Sequence, residues 1–531
     1  MIALREWQER ALERMASWEQ GSFLISAAPG AGKTIPSLVF ARRLLDEGAI
    51  TRVHVVCPTT PLTRQWAETA ARLGVQLAPD AEELSPPRGF HGVAATYARA
   101  ASSATRWAAQ CGERTLVIAD EAHHLGDELA WGEGFSRAFA ATPRWLLLSG
   151  TPFRSDASPI AGVRYEDGVA VPDVSYTYAD AVRDGVCRPV AFIPYDGALS
   201  WRSGDEVIES SFSDVDLSAR EAGRRYRTAI STELADGLPR ILRSADERLS
   251  EVRSGGHRDA GGLVVTADGG HARRVAAVLK EITGRTPTVV LHTDARAAER
   301  LRSFGEGRER WIVAVNMVSE GVDIPRLRVG VYATAAKTPL MFRQIVGRFV
   351  RTLAGRSAEH SYLFLPADRL LRVHAAEVEE ELRHVLRTPG EEPPDAFDEL
   401  RERRASELTD PAPFVALDAD VVPQLALFGG GPPAPRVAVA PAVVPAGSAV
   451  PDGAEEEPIF RRRRRLRDKR QGLVVALAGM EGSSHREVNT WLNRETGVAV
   501  REATIEQLER SIELLQERLD RIGRRRASRA S

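Results

Sequence analysis

The stretch Phe23-Leu24-Ile25-Ser26-Ala27-Ala28-Pro29-Gly30-Ala31-Gly32-Lys33-Thr34 decides the reading of the first half of the chain. Its first four residues are an apolar burst of the kind a buried strand needs. Gly30 and Gly32 then permit a tight turn whose backbone N–H groups point inward, which suits a polyphosphate. Lys33 supplies charge for β- and γ-phosphates, and the Thr34 hydroxyl suits magnesium. A helical pattern follows from Pro36 to Glu47, so the turn lies where a strand hands over to a helix. The usual pattern has glycine where this chain has Ala27, so Ala28 to Thr34 form a variant of the phosphate-binding loop.

Outward from this stretch, short apolar runs recur at Val53–Cys57, Thr115–Ala119 and Trp145–Ser149, and a further helical pattern spans Leu62–Leu73. Short apolar strands with intervening helices indicate a parallel sheet covered on both faces. From about Arg154 to Gly261 the rhythm is less clear. Phe192-Ile193-Pro194 reads as a strand end, and Ser218–Arg253 as charged helix with a break near Gly237-Leu238-Pro239. A second alternating region runs through Gly262–Ala267, Thr288–Leu291, Trp311–Val315, Val329–Tyr332 and Tyr362–Leu365, followed by a helix over Asp368–Arg387. Ala412–Pro458 is rich in Pro, Ala, Val and Gly and reads as a flexible linker. Beyond it, Ala503–Leu519 places Ile505, Leu508, Ile512, Leu515 and Leu519 on one helical face.

A chain of 531 residues exceeds one ordinary core and predicts roughly two to four domains. A hydrophobic fraction of 43% and a charged fraction of 27% place it among soluble globular proteins. The net charge of -2 does not mark the whole chain as a nucleic-acid binder, but the charge is uneven. From Arg461 onward about 18 Arg and Lys stand against about 10 Asp and Glu. Cys57, Cys111 and Cys187 form no CxxC pair, which argues against a zinc site or a disulfide framework and fits a reducing cytoplasm. The N-terminal residues lack the apolar core of a signal peptide, and no run approaches the ~18 apolar residues of a membrane span. A cytoplasmic protein with no membrane partner is expected.

Asp120-Glu121-Ala122-His123 follows an aliphatic run at a strand end. Asp120 is placed to hold magnesium and Glu121 to polarise an attacking water, because phosphoryl transfer needs positioning and charge more than covalent help. An exposed acidic turn is the bland alternative, which the preceding buried run argues against. His123 and His124 are adjacent and lack helical or CxxC ligand spacing, so they read as hydrogen-bonding partners rather than metal ligands.

With the phosphate loop, Asp-Glu-Ala-His and the blocks below, the chain resembles helicase superfamily 2 of the DEAD/DEAH-box type. More narrowly, it resembles bacterial DNA helicases and translocases related to the motor subunits of restriction enzymes. The likeness covers roughly residues 1–365 and implies two RecA-like doubly wound α/β domains with ATP and magnesium in the cleft between them. Leu4-Arg5-Glu6-Trp7-Gln8 resembles the upstream adenine-reading element, with Gln8 on the base edge, although an ordinary amphipathic helix start would read alike. Pro58-Thr59-Thr60-Pro61 and Ala95-Thr96-Tyr97 resemble elements that touch the nucleic-acid backbone, through Pro58, Thr59 and Thr96. Ser149-Gly150-Thr151-Pro152 resembles the element that couples hydrolysis to domain movement, with His123, Ser149 and Thr151 as its coupling residues. Ser319-Glu320-Gly321-Val322-Asp323 resembles an element touching both ligands, with Ser319 and Gly321 toward nucleic acid and Asp323 near the ribose. Gln344-Ile345-Val346-Gly347-Arg348-Phe349-Val350-Arg351 resembles the element whose arginines reach the γ-phosphate. Gln344, Arg348 and Arg351 are its candidates, the two arginines three apart on one expected helical face.

The expected organisation is therefore an ATP-binding domain over 1–155, a connector over 156–260 and a second RecA-like domain over 261–390. A flexible linker over 391–459 and a small basic helical module over 460–531 complete it. The Arg461–Arg465 run suits phosphates and equally a solvated charged face, and a protein partner for this module is left open. The expected activity is an ATP-dependent nucleic-acid helicase or translocase. DNA is the preferred substrate on the resemblance alone. An RNA helicase and a nucleotide-gated clamp with little turnover are the alternatives.

Overall fold

The computed structural model describes residues 3–79, 86–127, 129–150, 159–166, 169–203, 206–214, 217–291, 294, 296–315, 324–352, 359–386, 415–423, 457–500 and 503–530. Its first lobe opens with α1 (Glu6–Ala16), β1 (Gly21–Ala27), α2 (Thr34–Asp46), β2 (Arg52–Cys57), α3 (Thr60–Arg72) and β3 (Leu77–Ala78). It continues with β4 (Gly92–Thr96), α4 (Tyr97–Ser102), α5 (Ala104–Gln110), β5 (Thr115–Asp120), α6 (His124–Asp127), α7 (Leu129–Phe139) and β6 (Arg144–Ser149). Every residue of β5 is buried, as is β2 beyond its first residue, which is why these strands read as unbroken apolar runs rather than alternating ones. Among the described residues the sheet has seven strands in the order β3-β4-β2-β5-β6-β1-β9, with β9 at Val174–Tyr176, and all pairings are parallel.

The expected connector is divided between the lobes rather than standing apart. After a small hairpin of β7 (Tyr165–Glu166) and β8 (Val169–Ala170), β9 (Val174–Tyr176) pairs with β1 and completes the first sheet. Following α8 (Tyr178–Arg183), β10 (Val190–Ser203) lies in the second sheet, parallel to β16 (Ser361–Pro366). The second lobe therefore starts near Val190, well before residue 261. Its remaining elements are β11 (Glu206–Ser210), α9 (Ala219–Ala229), α10 (Leu238–Ser254), β12 (Gly261–Thr266), α11 (Gly269–Thr283), β13 (Thr288–Val290) and α12 (Ala297–Glu306). These are followed by β14 (Trp311–Val315), β15 (Leu327–Ala333), α13 (Pro339–Phe349), β16 (Ser361–Pro366) and α14 (Arg369–Leu386). The strand order is β11-β10-β16-β15-β12-β14-β13.

The expected linker also needs correction at one point, because β17 (Val415–Pro423) is an antiparallel strand on β10. The fit is close enough to dictate residue type. A Cβ on Gly197 would lie 1.8 Å from the Asp420 carbonyl oxygen, so only glycine lets the two backbones meet there. Arg240 ties the strand down through an ion pair with Asp420.

The C-terminal module consists of α15 (Ile459–Glu481), α16 (His485–Thr496) and α17 (Ile505–Ala530). Val474, Leu477, Ala478, Val488, Leu492 and Leu515 form its own small core. Arg518 fastens it from outside, bidentate to Glu481 at 2.6 and 2.8 Å and 4.3 Å above the Trp491 ring. The module touches the first lobe, where Arg461 pairs with Glu68 of α3, and Phe460 packs against the main core.

Candidate functional site

In the first sheet β1, β6 and β5 are neighbours, so the loops at their carboxyl ends are neighbours too. This brings together the 28–33 turn, Ser149–Gly150 and Asp120–Glu121, with Thr59 and Thr96 farther along the same edge. Gly30 and Gly32 adopt φ of 80° and 88°, a left-handed backbone that fits glycine and lets the chain turn tightly between β1 and α2. Lys33 is nearly buried. Its Nζ donates to the Ala27 carbonyl at 3.1 Å and stands 3.8 Å from Glu121 Oε1. Thr34 is the first residue of α2, beside the lysine.

Asp120 is held from three directions. Its Oδ2 accepts the Trp66 indole N–H at 2.7 Å, Oδ1 accepts the Glu121 N–H at 3.1 Å, and its carbonyl accepts the Tyr97 hydroxyl at 2.7 Å. Burial, then repulsion from Glu121, push its carboxyl above the usual range, with Lys33 and Trp66 opposing them. Glu121 has φ of 51°, the left-handed region in which glycine is otherwise found among the described residues. Such a backbone costs on the order of 1–3 kcal/mol and persists where surrounding structure enforces it, commonly at functional sites. It turns the carboxylate back over the sheet edge, 3.5 Å from the Gly150 N–H and 3.5 Å from His123 Nδ1. Burial opposes ionisation of Glu121, but Lys33, His123 and His124 outweigh it and hold its pKa below the carboxylate norm.

The second lobe approaches this edge through α13. Thr338 caps the helix by accepting the Met341 N–H, and Pro339 occupies its first turn. Gln344 Nε2 lies 3.4 Å from His123 Nε2, and His123 Nδ1 lies 3.2 Å from Ser149 Oγ. His123 thus stands between the two lobes. A Cβ on Gly347 would meet Pro29 at 3.0 Å, and a Cβ on Gly30 would meet Arg351 Cγ at 3.3 Å. The phosphate turn and the arginine element therefore face each other at van der Waals range. Arg348 is half-buried near the end of the helix. Arg351 is not on the expected helical face with Arg348. The helix stops at Phe349, and Arg351 forms an isolated antiparallel bridge with Cys187, whose Sγ lies 3.4 Å from the Pro29 carbonyl.

Gln8, expected on the base edge, lies beside the phosphate turn. Its Oε1 accepts the Arg5 N–H at 2.9 Å and its Nε2 donates to the Gly32 carbonyl at 3.0 Å, so its amide braces the phosphate turn. Arg5 does the same by donating to the Ala31 carbonyl at 2.7 Å. Pro58 is half-buried just before Thr59, the N-cap of α3, and the Thr59 hydroxyl is buried without a hydrogen-bond partner. The Thr96 hydroxyl accepts the Arg99 N–H as a helix cap, which occupies part of its capacity for nucleic acid. Thr151, Ser319, Gly321 and Asp323 lie outside the described residues. Trp66 and Cys187 are site neighbours for which the sequence carries no local signal, whereas Arg5 and Tyr97 lie in motif blocks without having been assigned a role.

The donors present fit a magnesium nucleotide. No cluster of three or more His, Cys, Asp or Glu side chains that could cage a metal occurs among the described residues. Magnesium needs no such cage, since it takes one or two carboxylates together with substrate phosphates and water. Asp120 and Thr34 offer that kind of incomplete set. No helix among the described residues is long and apolar enough to cross a membrane.

Residues 1–154 match the family described as type III restriction enzyme, res subunit, and residues 263–352 match the helicase conserved C-terminal domain. A Mycobacterium tuberculosis relative, Rv2917, is 41% identical over 471 residues, which cover 86% of this chain and 74% of the relative. DNA 3'-5' translocase XPB2 of Sulfurisphaera tokodaii is 26% identical over 377 residues, covering 66% of this chain and 79% of that protein. Among solved structures, S. cerevisiae Dbp5 bound to RNA and ADP BeF3 aligns with 71% of this chain and 87% of its own, at a TM-score of 0.45 and 16% identity. A match to the restriction-enzyme res subunit family on the first lobe and to the helicase C-terminal domain on the second leads to one conclusion: the chain belongs to the superfamily 2 helicases, in the group related to restriction-enzyme motor subunits.

Proposed function

We propose that the protein is an ATP-dependent helicase or translocase acting on DNA, with magnesium required for turnover. The observation that carries this reading is the apposition of the two lobes at the phosphate turn, where Pro29 meets Gly347 and Gly30 meets Arg351. A triphosphate in the turn would stand against both lobes, so its hydrolysis would change what holds them together.

In this reading Lys33 and the turn N–H groups neutralise the β- and γ-phosphate oxygens. Asp120 and Thr34 would hold the magnesium ion, which would supply positive charge against the repulsion facing the nucleophile. Glu121, held ionised by Lys33 and the histidines, accepts a hydrogen bond from the attacking water and orients it. Arg348 and Arg351 stabilise charge developing on the γ-phosphoryl group, an effect worth about 10³–10⁵ in rate where measured in related chemistries. Gln344 and His123 report the state of Glu121 across the cleft. The arrangement of Glu121, Arg348 and Arg351 favours turnover over a mere clamp, because a clamp needs no water-orienting carboxylate.

DNA is favoured over RNA by two likenesses: the restriction-enzyme family matched by the first lobe and the DNA translocase XPB2. The deciding experiment is the ATPase rate with magnesium against single-stranded DNA, duplex DNA and RNA. Stimulation by DNA above RNA is expected. Preferential stimulation by RNA would replace DNA as the substrate, and equal rates with and without nucleic acid would favour the clamp.

A further inference from the structure

We propose that Trp66 is a positioning residue for the magnesium carboxylate, and that through it α3 links the nucleic-acid edge of the first lobe to metal binding. The inference rests on the nucleotide reading above and assigns a regulatory path within that site.

Trp66 is 2% exposed and lies in the body of α3, the helix that begins at the Pro58-Thr59 loop. Its indole nitrogen is a donor only, and it meets Asp120 Oδ2 at 2.7 Å. Oδ1 is fixed by the Glu121 N–H, so each carboxylate oxygen has one lone pair engaged and one left for a metal or its water. The bond is not merely what any buried indole must find in this fold. Trp107 and Trp7 are equally buried, and their indole nitrogens have no hydrogen-bond partner. Trp201 and Trp311 do meet carboxylates, those of Glu221 and Asp246, which bind arginines rather than facing the cleft. Trp66 alone among these places its N–H on a carboxylate of the cleft edge.

The same helix has two other attachments. Its N-cap Thr59 carries a buried, unpartnered hydroxyl at the sheet edge where the resemblance expects nucleic acid, and Glu68 pairs with Arg461 of the C-terminal module. A hydrogen bond weakens steeply once donor and acceptor part or tilt. Displacing α3 by a few tenths of an ångström at its first turn would therefore change how firmly Asp120 is oriented. Strand engagement at Thr59 thus has a direct mechanical route to the metal carboxylate, with no need to pass through the second lobe.

The test titrates magnesium against binding of a fluorescent, non-hydrolysable ATP analogue to the full chain. Groups that orient a metal-binding carboxylate typically change metal affinity by about 10–100-fold when removed. Trp66→Phe should raise the magnesium half-saturation by at least about ten-fold, while analogue affinity without metal stays within about two-fold. Trp107→Phe removes a similar buried ring from the same lobe and should leave the magnesium half-saturation within about two-fold. In the wild-type chain single-stranded DNA should lower the magnesium half-saturation, and Trp66→Phe should abolish that shift. If Trp66→Phe does not fold, 3-benzothienylalanine at position 66 keeps the ring volume and deletes only the N–H. Equal magnesium dependence in the Trp66 and Trp107 variants would overturn the inference while leaving the nucleotide reading intact. Absence of magnesium-dependent analogue binding in the wild-type chain would overturn both.

Discussion

The contact between Gln344 and His123 is the most direct handle on communication between the lobes, and a double-mutant cycle measures it. The perturbations are Gln344→Ala, His123→Ala and the pair together. Gln344 Nε2 sits 3.4 Å from His123 Nε2, at the long end for a hydrogen bond, and the contact is partly buried. With the amide donating, His123 Nε2 accepts, and the ring proton resides on Nδ1, where it faces Ser149 Oγ and Glu121 Oε2 at 3.2 and 3.5 Å. A single hydrogen bond between neutral groups contributes about 0.5–1.5 kcal/mol net. The coupling energy should therefore be near 1 kcal/mol, or about five-fold in kcat. His123→Ala alone should cost more than Gln344→Ala, because it also removes the contacts to Ser149 and Glu121. The double variant should be about five-fold more active than the product of the two single losses predicts. The assay is steady-state ATPase at saturating magnesium ATP and single-stranded DNA. Strict additivity, within about 0.3 kcal/mol, would show that the two side chains do not communicate and would refute the role given to His123 between the lobes.

Three further outcomes are expected. Glu121→Gln should keep nucleotide binding while kcat falls by at least about 10²-fold, as loss of a water-orienting base implies, and normal turnover would remove Glu121 from the mechanism. His54 is fully buried against Trp107, accepts the Val93 N–H, and has its pKa pushed down to about 3, by burial first and then by Arg52. Between pH 6.5 and 3 the unfolded chain holds the proton that the folded chain lacks, so stability should fall as pH drops through this window. The loss should reach about 2 kcal/mol by pH 5, and the drop in denaturant midpoint from pH 7.5 to pH 5 should shrink in His54→Phe; an unchanged drop would acquit His54. Removal of residues 461–531 should weaken DNA binding and reduce its salt slope while sparing basal ATPase at saturating magnesium, and an unaltered affinity across a salt series would deny the basic module any grip on phosphates.

Legibility of the site in the sequence followed how local each interaction is. The phosphate turn was readable because its strand, glycines, lysine and following helix are contiguous, and the structure places Gly30 and Gly32 in the backbone region that the reading required. Asp120 and Glu121 were readable because β5 is buried on both faces and ends at them. Arg351 was misplaced on a helix because nothing between Gly347 and Arg351 resembles a stop signal. What ends α13 is a bridge to Cys187, remote in sequence. Thr96 carries the usual signature of a helix N-cap, and that local role competes with the nucleic-acid role drawn from resemblance. Trp66 had no signal at all, since its bond to Asp120 joins a helix interior to a strand end 54 positions away. The second sheet was under-read for a similar reason. Its strands β10 and β17 are separated in sequence by most of the lobe, and the apolar residues of β17 are interrupted by Asp418 and Asp420.

The route of the chain after the second lobe sets what the C-terminal module can sense. β17 is fastened to the second lobe through β10 and Arg240, whereas α15 is fastened to the first through Glu68 and the core contact of Phe460. Between Pro423 and Ile459 lie 36 residue steps, and at ~3.3–3.6 Å per residue a chain of that length can span roughly 120 Å. Opening a cleft between two lobes changes distances by far less, so the covalent connection need not tighten during a working cycle. Any coupling between the module and the motor would therefore run through its contact with α3 rather than through tension in the connection. That places Glu68 and Trp66 on one helix as the two ends of a short path, from the basic module to Asp120, the carboxylate proposed to meet magnesium. Breaking the Arg461–Glu68 pair should then alter magnesium dependence in the same direction as loss of the Trp66 N–H, and more weakly, because an exposed ion pair contributes about 0–1 kcal/mol where a buried bond to a carboxylate contributes more.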